Sequence, residues 1–310
     1  MLCAIRQSGK EGISPQTNMM NQDQWEAYGR AVIDQMRSYT EPFVASIFLV
    51  HSFEQGSLHG SGTYLELLNK PYLLTNQHVA KVLATHSLAH QLANDEFARR
   101  ISNAFQALSA PVDVAVSRID DPFWNSDKNQ KKAISVSHLS QRHEPIYGEL
   151  LFMMGFSAER SHYSQSLECI FPTGSPYLTQ EAPLPEGYLP EFHFSVHYSP
   201  TRALSLDGDN RGLPAPPGFS GSLVWNTRVV ECMQSSISWA PSAARVTGMV
   251  WLWDTGGASL IATRIEHIRA FLLEALRQEA AYFRWLSRGA PIGEDLSDWQ
   301  YAVQSIPELM

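Results

Sequence analysis

Three short segments of the sequence carry residues that could perform nucleophilic chemistry. His78 stands at the end of an apolar run, Asp113 opens a second run, and Ser220 lies in a Gly-Phe-Ser-Gly turn. A serine hydroxyl is a poor nucleophile at neutral pH, and a nearby imidazole can activate it by taking its proton. Each residue also has an ordinary structural interpretation, because histidines at strand ends, acids at turns and such glycine turns are common. The segments are informative only in combination.

In combination, the three segments resemble the signature of one family. The motifs GSGTY at 60–64, YLLTNQHVA at 72–80, DVAV at 113–116 and GFSGSLV at 218–224 match it in order and in local context. They resemble the trypsin-like (chymotrypsin-fold) serine peptidases of the bacterial, disulfide-free, cytosolic type. The resemblance extends over about residues 42–270.

The resemblance implies a role for each of these residues. His78 would act first as general base and then as general acid, while Asp113 would hold its tautomer and stabilise the imidazolium. Ser220 would be the nucleophile, and the N–H groups of Gly218 and Ser220 would form the oxyanion hole. The expected function is a serine endopeptidase that acts on protein or peptide substrates and requires no cofactor or metal.

The sequence departs from the family pattern at four positions. Ser222 and Leu223 replace a glycine and a proline after the nucleophile, which the entrance to a strand tolerates. Trp251 aligns with the serine that usually supports the catalytic acid. Phe219 replaces the acid that pairs with a new N-terminal amine in secreted zymogens. We therefore expect no activation by N-terminal cleavage, and control by loop ordering or by a regulatory protein partner.

The same alignment predicts the residues that bind the substrate. Pro214 takes the floor position of the primary pocket, and Trp251, Trp253 and Leu260 come from the substrate-binding strands. Large side chains would fill this pocket, and a buried Lys or Arg head group without a carboxylate would be costly to desolvate. We expect a small apolar residue before the scissile bond. The alternative is that the loop Asp207–Pro217 is rebuilt, so that Asp207, Asp209 or Asp254 reaches the pocket and restores basic specificity.

The elements that position these residues are expected to be mainly strands. Short β-branched and aromatic runs separated by turns are typical of a β-barrel or sandwich. The resemblance specifies two six-stranded antiparallel β-barrels with the active site between them. The expected strands are Val44–His51, Gly60–Leu68, Tyr72–Thr75, Val112–Ile119, Glu149–Phe156, Leu167–Phe171, Glu191–His197, Leu223–Trp225, Arg228–Cys232, Thr247–Trp253 and Ser259–Thr263.

Helices are expected near both ends of the chain. Asn21 and Gln24 have capping-box spacing before an apolar pattern of helical period. Thr263 and Glu266 have the same spacing before a long amphipathic helix, which Gly289 stops. The chain should therefore contain an N-terminal extension with one helix, a peptidase domain, and a helical continuation with a tail. The boundaries are 1–41, 42–270 and 271–310, and the insertion at 81–108 is compatible with a helix.

Composition argues against several other classes. The formal charge of −8 argues against a nucleic-acid partner. The longest apolar run, from Phe43 to Val50, is far shorter than the ~20 residues of a membrane helix, and the N-terminus lacks the hydrophobic stretch of a secretory signal. Three widely spaced cysteines, Cys3, Cys169 and Cys232, match neither a disulfide framework nor a zinc site, which indicates the cytoplasm.

Other functions match the sequence less well. In an α/β-hydrolase, Asp254 and His267 would complete the triad, but Ser222 breaks the required Gly-x-Ser-x-Gly motif. His86 and His90 have zinc-peptidase spacing, but the residue after His86 is not glutamate. A catalytically inactive trypsin-like binding or scaffold module is the alternative from another class. The resemblance alone suggests limited regulatory proteolysis in a bacterial defence or cell-death system.

Overall fold

The polypeptide is mainly β-structure with helices near both ends. The structure, a computed structural model, describes residues 2–3, 21–52, 55–93, 98–164, 169–200, 203–204, 212–256 and 258–309. Within them the α-helices are α1 (Gln22–Thr40), α2 (Gln77–Ala80), α3 (Val229–Gln234), α4 (Ile265–Ser287) and α5 (Asp295–Ser305). The strands are β1 (Leu2–Cys3), β2 (Val44–Ser52), β3 (Gln55–Leu67), β4 (Lys70–Thr75), β5 (Ser87–His90), β6 (Arg99–Arg100), β7 (Gln106–Leu108), β8 (Val114–Arg118), β9 (Ile134–Ser135), β10 (Leu151–Ser164), β11 (Cys169–Thr179), β12 (Glu181–Ala182), β13 (His193–His197), β14 (Ala203–Leu204), β15 (Leu223–Asn226), β16 (Arg245–Asp254) and β17 (Ser259–Arg264).

The first sheet has the order β6-β5-β2-β3-β4-β8-β7, with β9 pairing parallel to β3. Its hairpin β3–β4 turns through Leu68 and Asn69, which both have positive φ, as a two-residue type I′ turn requires. Buried Ile47, Tyr64 and Leu73 fill one face of the sheet. The sheet positions two of the expected catalytic residues, because β4 ends just before His78 and β8 begins just after Asp113.

The second sheet has the order β12-β13-β17-β16-β15-β10-β11-β1-β14. Its strands pair antiparallel, apart from the parallel pair β1–β11. Met153, Phe194 and Phe219 belong to its buried cluster. Ser220 lies in the loop that leads into β15, so this sheet positions the expected nucleophile.

A third buried cluster joins the two sheets to the helices. Leu65 of the first sheet and Phe152 of the second lie in it together with Met36 of α1 and Leu272 of α4. All four side chains are fully buried. Burial of a large aliphatic or aromatic side chain contributes about 1.5–3 kcal/mol, so both terminal helices are part of the core that holds the sheets together.

The expected fold class is confirmed: the chain is mainly β, with two antiparallel sheets and helices near both ends. Among the described residues the sheets hold eight and nine strands instead of six each, because strands of two or three residues are added at their edges and, for β9, beside β3. The predicted start of α1 is also confirmed. Asn21 Oδ1 accepts from Gln24 N–H at 2.9 Å, and Gln24 Oε1 accepts from Asn21 N–H at 3.0 Å.

Two element predictions are wrong because distant contacts override local preference. The described residues of the insertion at 81–108 do not form a single helix: β5 lies among them and pairs with β2, which buries Leu88 and Ala89. Residues Arg228–Cys232 are not a strand, because α3 begins there. The buried carboxylate of Glu149 accepts the N–H groups of Val230 and Glu231, both at 3.0 Å, and so satisfies the first turn of this helix.

The predicted capping box of the long helix is also wrong. Helix α4 begins at Ile265 after Arg264, without a side-chain cap. Thr263 Oγ1 instead donates to Val112 O at 2.9 Å, and Glu266 accepts from His143 N–H at 3.0 Å. Both candidate capping groups are therefore used in tertiary contacts. In the described part of the chain, no helix has the length and apolar character needed to cross a membrane.

Candidate active site

His78 and Asp113 form a hydrogen-bonded pair at one end of the first sheet. His78 lies in the first turn of α2, and Asp113 precedes β8. His78 Nδ1 lies 2.6 Å from Asp113 Oδ2, and His78 N–H donates to Asp113 Oδ1 at 3.0 Å. The Asp113 side chain is 5% exposed, whereas that of His78 is 38% exposed. The carboxylate thus holds a proton on Nδ1 and leaves Nε2 as an acceptor facing the solvent-accessible side.

The backbone around Asp113 is held from two directions. Asn76 Nδ2 donates to Asp113 O at 2.7 Å, and the preceding carbonyl, Val112 O, accepts from Thr263 Oγ1 at 2.9 Å. Asp113 has φ +50°, a left-handed conformation that aspartate tolerates better than most residues. These contacts fix the direction of the carboxylate before any ligand binds.

The loop before Ser220 is a type II turn with sequence Pro-Pro-Gly-Phe. Phe219 N–H donates to Pro216 O at 2.9 Å, and Gly218 has φ +104° at the third position. Proline at the second position and glycine at the third are the residues that this turn prefers. A Cβ on Gly218 would lie 2.6 Å from Phe156 O, so the position requires glycine.

The turn leaves two N–H groups available for a ligand. No hydrogen bond within the described part of the chain engages the N–H of Gly218 or of Ser220. Backbone donors of this kind stabilise a developing oxyanion, and the loss of one typically costs about 3 kcal/mol of transition-state stabilisation. The arrangement can therefore receive negative charge beside Ser220.

Ser61 of the first sheet holds the nucleophile loop in place. Its N–H donates to Ser220 O at 2.8 Å, and its Oγ donates to Gly218 O at 2.7 Å and accepts from Phe156 N–H at 2.9 Å. Gly221 has φ +91°, and a Cβ there would overlap the Ser61 carbonyl oxygen. The sequence motif around Ser61 was part of the resemblance, but its contacts with Ser220 and Gly218 could not be derived from it.

One cleft between the two sheets contains all three expected catalytic residues. It has a volume of about 420 Å³, and His78, Asp113 and Ser220 line it together with apolar side chains. Ser220 Oγ lies 3.5 Å from Trp251 O, and no hydrogen bond joins it to His78 among the described residues. Serine, imidazole and carboxylate therefore share one solvent-accessible space.

Three of the four predicted substrate-binding residues line this cleft. They are Trp251, Trp253 and Leu260. Pro214 lies outside the cleft lining, and its carbonyl accepts from Tyr198 O–H at 2.6 Å. The sequence did not point to Val250, Leu252, Pro216 and Pro217, which complete the apolar wall.

Of the acids that would give basic specificity, the one that the structure describes is not in the cleft lining. Asp254 is described but does not line it, and Asp207 and Asp209 lie outside the described residues. Among the described residues the only acid that lines the cleft is Asp113. The described residues also contain no cluster of three His, Cys, Asp or Glu side chains suited to a metal ion.

The fold and site together define a class of protein. Two antiparallel sheets face each other across a cleft, with His78 and Asp113 on the first and Ser220 at the entrance to the second. Gly221 N–H donates to Val250 O, and Val250 N–H to Ser222 O, both at 2.9 Å, so the loop pairs with β16 beside the nucleophile. The chain has a trypsin-like, chymotrypsin-type serine peptidase fold.

Structure comparison finds proteases among the similar solved structures. The serine protease domain of the Sesbania mosaic virus polyprotein is 14% identical, with TM-score 0.41, and the match covers 72% of this chain and 89% of that chain. The MamO protease domain of Magnetospirillum magneticum is 13% identical, with TM-score 0.40 and coverage of 73% and 93%. A protease of M. tuberculosis in its active form is 15% identical, with TM-score 0.43 and coverage of 78% and 85%.

Sequence comparison adds one short match. A family model described as a protein of unknown function (DUF2934) matches residues 278–307, which span the end of α4 and all of α5. No curated protein matches the chain.

Proposed function

We propose that the chain is a serine endopeptidase that cleaves peptide bonds through an acyl-enzyme. The observation that carries the proposal is the 2.6 Å contact between His78 Nδ1 and Asp113 Oδ2, in the cleft that also contains Ser220. A buried carboxylate on Nδ1 is the support that an imidazole needs to act as general base through Nε2.

The proposed reaction uses only groups of the chain and water. Ser220 Oγ attacks the carbonyl carbon of the scissile bond while His78 Nε2 takes the hydroxyl proton. The oxyanion accepts hydrogen bonds from the N–H groups of Gly218 and Ser220. The C–N bond then breaks as the imidazolium gives its proton to the leaving amine, and water hydrolyses the acyl-enzyme by the same steps.

The Ser220 hydroxyl must change partner for this reaction. In the structure it points to Trp251 O, 3.5 Å away. Catalysis requires the hydroxyl to donate to His78 Nε2 instead, and catalytic hydrogen bonds are often long before substrate binds. A role in limited regulatory proteolysis in the cytoplasm is part of the proposal.

The proposed substrate has a small apolar side chain before the scissile bond. Trp253 and Leu260 line the cleft, and no acid beyond Asp113 does so among the described residues. A lysine or arginine would be desolvated there without a counter-charge. Matched peptides with Ala or Arg at that position test this, and a kcat/KM in favour of Arg by about tenfold (~1.4 kcal/mol) would contradict it.

The experiment that tests the function compares active-site variants on a denatured proteome and with a serine-directed fluorophosphonate probe. Ser220→Ala and His78→Ala should abolish cleavage and labelling, and Asp113→Asn should lower the rate by about 10⁴-fold because the tautomer is lost. His197→Ala, at the exposed end of β13, is the matched control and should retain wild-type activity. Cleavage that persists in Ser220→Ala would rule out the proposal.

A second candidate is a catalytically inactive trypsin-like binding or scaffold module. Its supporting observation is Trp251, which stands where trypsin-like enzymes have the serine that supports the acid. Its carbonyl is also the group to which the Ser220 hydroxyl donates. A folded wild-type protein that neither cleaves nor takes up the probe would favour this module over the peptidase.

A further inference from the structure

His193 is a buried histidine whose two ring nitrogens are both engaged. It lies on β13 and is 3% exposed. Leu189 N–H donates to its Nδ1 at 3.2 Å, and its Nε2 lies 2.8 Å from Pro111 O. Because Nδ1 accepts a hydrogen bond and the Pro111 carbonyl can only accept one, the ring is neutral and carries its proton on Nε2.

The surroundings of His193 favour this neutral form. Burial is the largest effect on its pKa and lowers it, and the nearby charges of Arg264 and His267 act in the same direction. The hydrogen bond to Pro111 O and the carboxylate of Glu191 act in the opposite direction.

The same ring packs against the residue beside the nucleophile. The rings of His193 and Trp251 stack with centroids 5.1 Å apart and an angle of 26° between their planes. Tyr188 packs edge-on against Trp251 at 6.3 Å. Trp251 lies at a β-bulge, where the register with β17 shifts between Val250 and Leu252, so both rings pack on an irregular point of the strand.

His193 therefore contacts both halves of the candidate active site. Pro111 lies two residues before Asp113, and the Trp251 carbonyl is 3.5 Å from Ser220 Oγ. We propose that His193 is a positioning residue: it holds the loop of Asp113 through the Pro111 carbonyl and the bulge of β16 through its stack on Trp251. It thus sets the placement of the His78–Asp113 pair relative to Ser220.

This inference rests on the proposed function. It explains how Asp113 can be supported although a tryptophan stands where trypsin-like enzymes have the supporting serine. A hydroxyl that would support the acid directly is absent at Trp251. The support is indirect: the His193 imidazole donates to Pro111 O and so anchors the backbone of the loop that carries Asp113. Small displacements of reacting groups are costly, because a misplacement of about 1 Å can lower a rate by about 10²-fold.

Two variants separate the hydrogen bond from the ring. His193→Gln keeps an N–H group for Pro111 O and an acceptor for Leu189 N–H, whereas His193→Phe keeps a ring on Trp251 but cannot donate. The matched control is His197→Phe at the exposed end of the same strand. For each variant, active sites are counted with the fluorophosphonate probe, and kcat is calculated per labelled site. KM and the low-field proton resonance of the His78–Asp113 hydrogen bond are measured on the same samples.

The expected result is a loss of kcat of about tenfold or more in His193→Phe, with little change in KM. The low-field resonance should shift or disappear in this variant and be nearly restored in His193→Gln, where kcat should recover only in part because the stack on Trp251 is lost. A purely structural role would lower the number of titrated sites without changing the rate per site. Wild-type kcat and resonance in His193→Phe, or equal losses in both variants, would overturn the inference. If the wild-type protein is inert, the proposed function fails, and the resonance still decides whether His193 positions the pair.

Discussion

The side chain of Ser222 destabilises the fold. Its side chain is fully buried beside Gly155, and its Oγ has no hydrogen-bond partner among the described residues. A buried hydroxyl without a partner costs about 1–3 kcal/mol. We predict that Ser222→Ala raises the free energy of unfolding in urea by about 1 kcal/mol.

Ser195 provides the control for this prediction. It is equally buried, but its Oγ donates to Ala182 O at 2.8 Å and contacts Pro183 O at 3.0 Å. Ser195→Ala should therefore lower the free energy of unfolding, by about 1 kcal/mol. If both variants are destabilised equally, the Ser222 hydroxyl has a partner that the structure does not identify.

At this scale the sequence identified the residues with local signatures and missed those that act through distant contacts. His78, Asp113 and Ser220 each lie in a short motif, and the structure brings them to one cleft. Pro214 was placed by counting back from the nucleophile, but it lies outside the cleft lining, and its carbonyl accepts a hydrogen bond from Tyr198. Ser61 acts through hydrogen bonds to residues far along the chain, which no local pattern encodes.

The C-terminal helix pair shows what sequence patterns miss at the scale of elements. Helix α5 was not expected, because it is short and mostly exposed. A buried carboxylate of α5 holds this helix to the C-terminal end of α4. Asp298 is 1% exposed and pairs with Arg288 at 2.9 Å and with Arg284 at 3.4 Å. In contrast, α1 carried its own capping signal, and its start was predicted correctly.

We predict that Asp298→Ala opens this helix pair without unfolding the sheets. Removing one partner of a buried ion pair is strongly destabilising, although the arginine side chains, each 32% exposed, reduce the effect to about 1–3 kcal/mol. Hydrogen exchange should accelerate over Asp295–Ser305 and stay unchanged in β3 and β4. The control Asp295→Ala lies on the same helix but is exposed, and should leave exchange nearly unchanged.

At the scale of the whole molecule, one buried histidine makes stability depend on pH. His90 Nδ1 lies 3.0 Å from the Tyr64 hydroxyl, and burial lowers the pKa of His90 to about 4, below its ordinary value of 6.5. The unfolded chain therefore binds this proton before the folded chain does. The stability that His90 contributes is complete above pH 6.5 and is lost as the pH falls towards 4.

The expected loss from this group between pH 7 and pH 4 is about 3 kcal/mol. It is measured as the difference between wild type and His90→Gln in urea unfolding across that range, since glutamine takes up no proton. The exposed His197→Gln variant should follow the wild-type curve. Parallel curves for wild type and His90→Gln would contradict the prediction.

The anchoring of the nucleophile loop predicts how the whole chain is activated. The ring of Phe219 is 1% exposed and packs edge-on against Tyr198 at 5.8 Å. This apolar contact holds the loop without an ion pair to an N-terminal amine. We predict that the full chain is active without cleavage, and that truncation to Phe43 lowers activity because it removes α1 and its buried Met36. Truncation to Asn21 keeps α1 and serves as the control.

The outcome against this prediction would be an inert full chain that becomes active only after truncation to Phe43. Activity is measured as kcat/KM on a peptide substrate, with the fraction of labelled Ser220 to count competent sites. A full chain that labels and cleaves as prepared supports a loop that is ordered by its own core.

The contacts of Ser61 limit which gene segments can be exchanged between this protein and others of the same fold. It lies on β3, yet its hydrogen bonds end on Ser220, Gly218 and Phe156 in the other half of the molecule. A gene crossover between the two sheets would combine a first half and a second half that were never selected together. Such a chimaera keeps the loop geometry only if its first half supplies a hydroxyl at position 61 for Gly218 O and Phe156 N–H. Its second half must supply a glycine at position 221, since any Cβ there would overlap the backbone carbonyl of residue 61. The two halves are therefore exchangeable only as a matched pair.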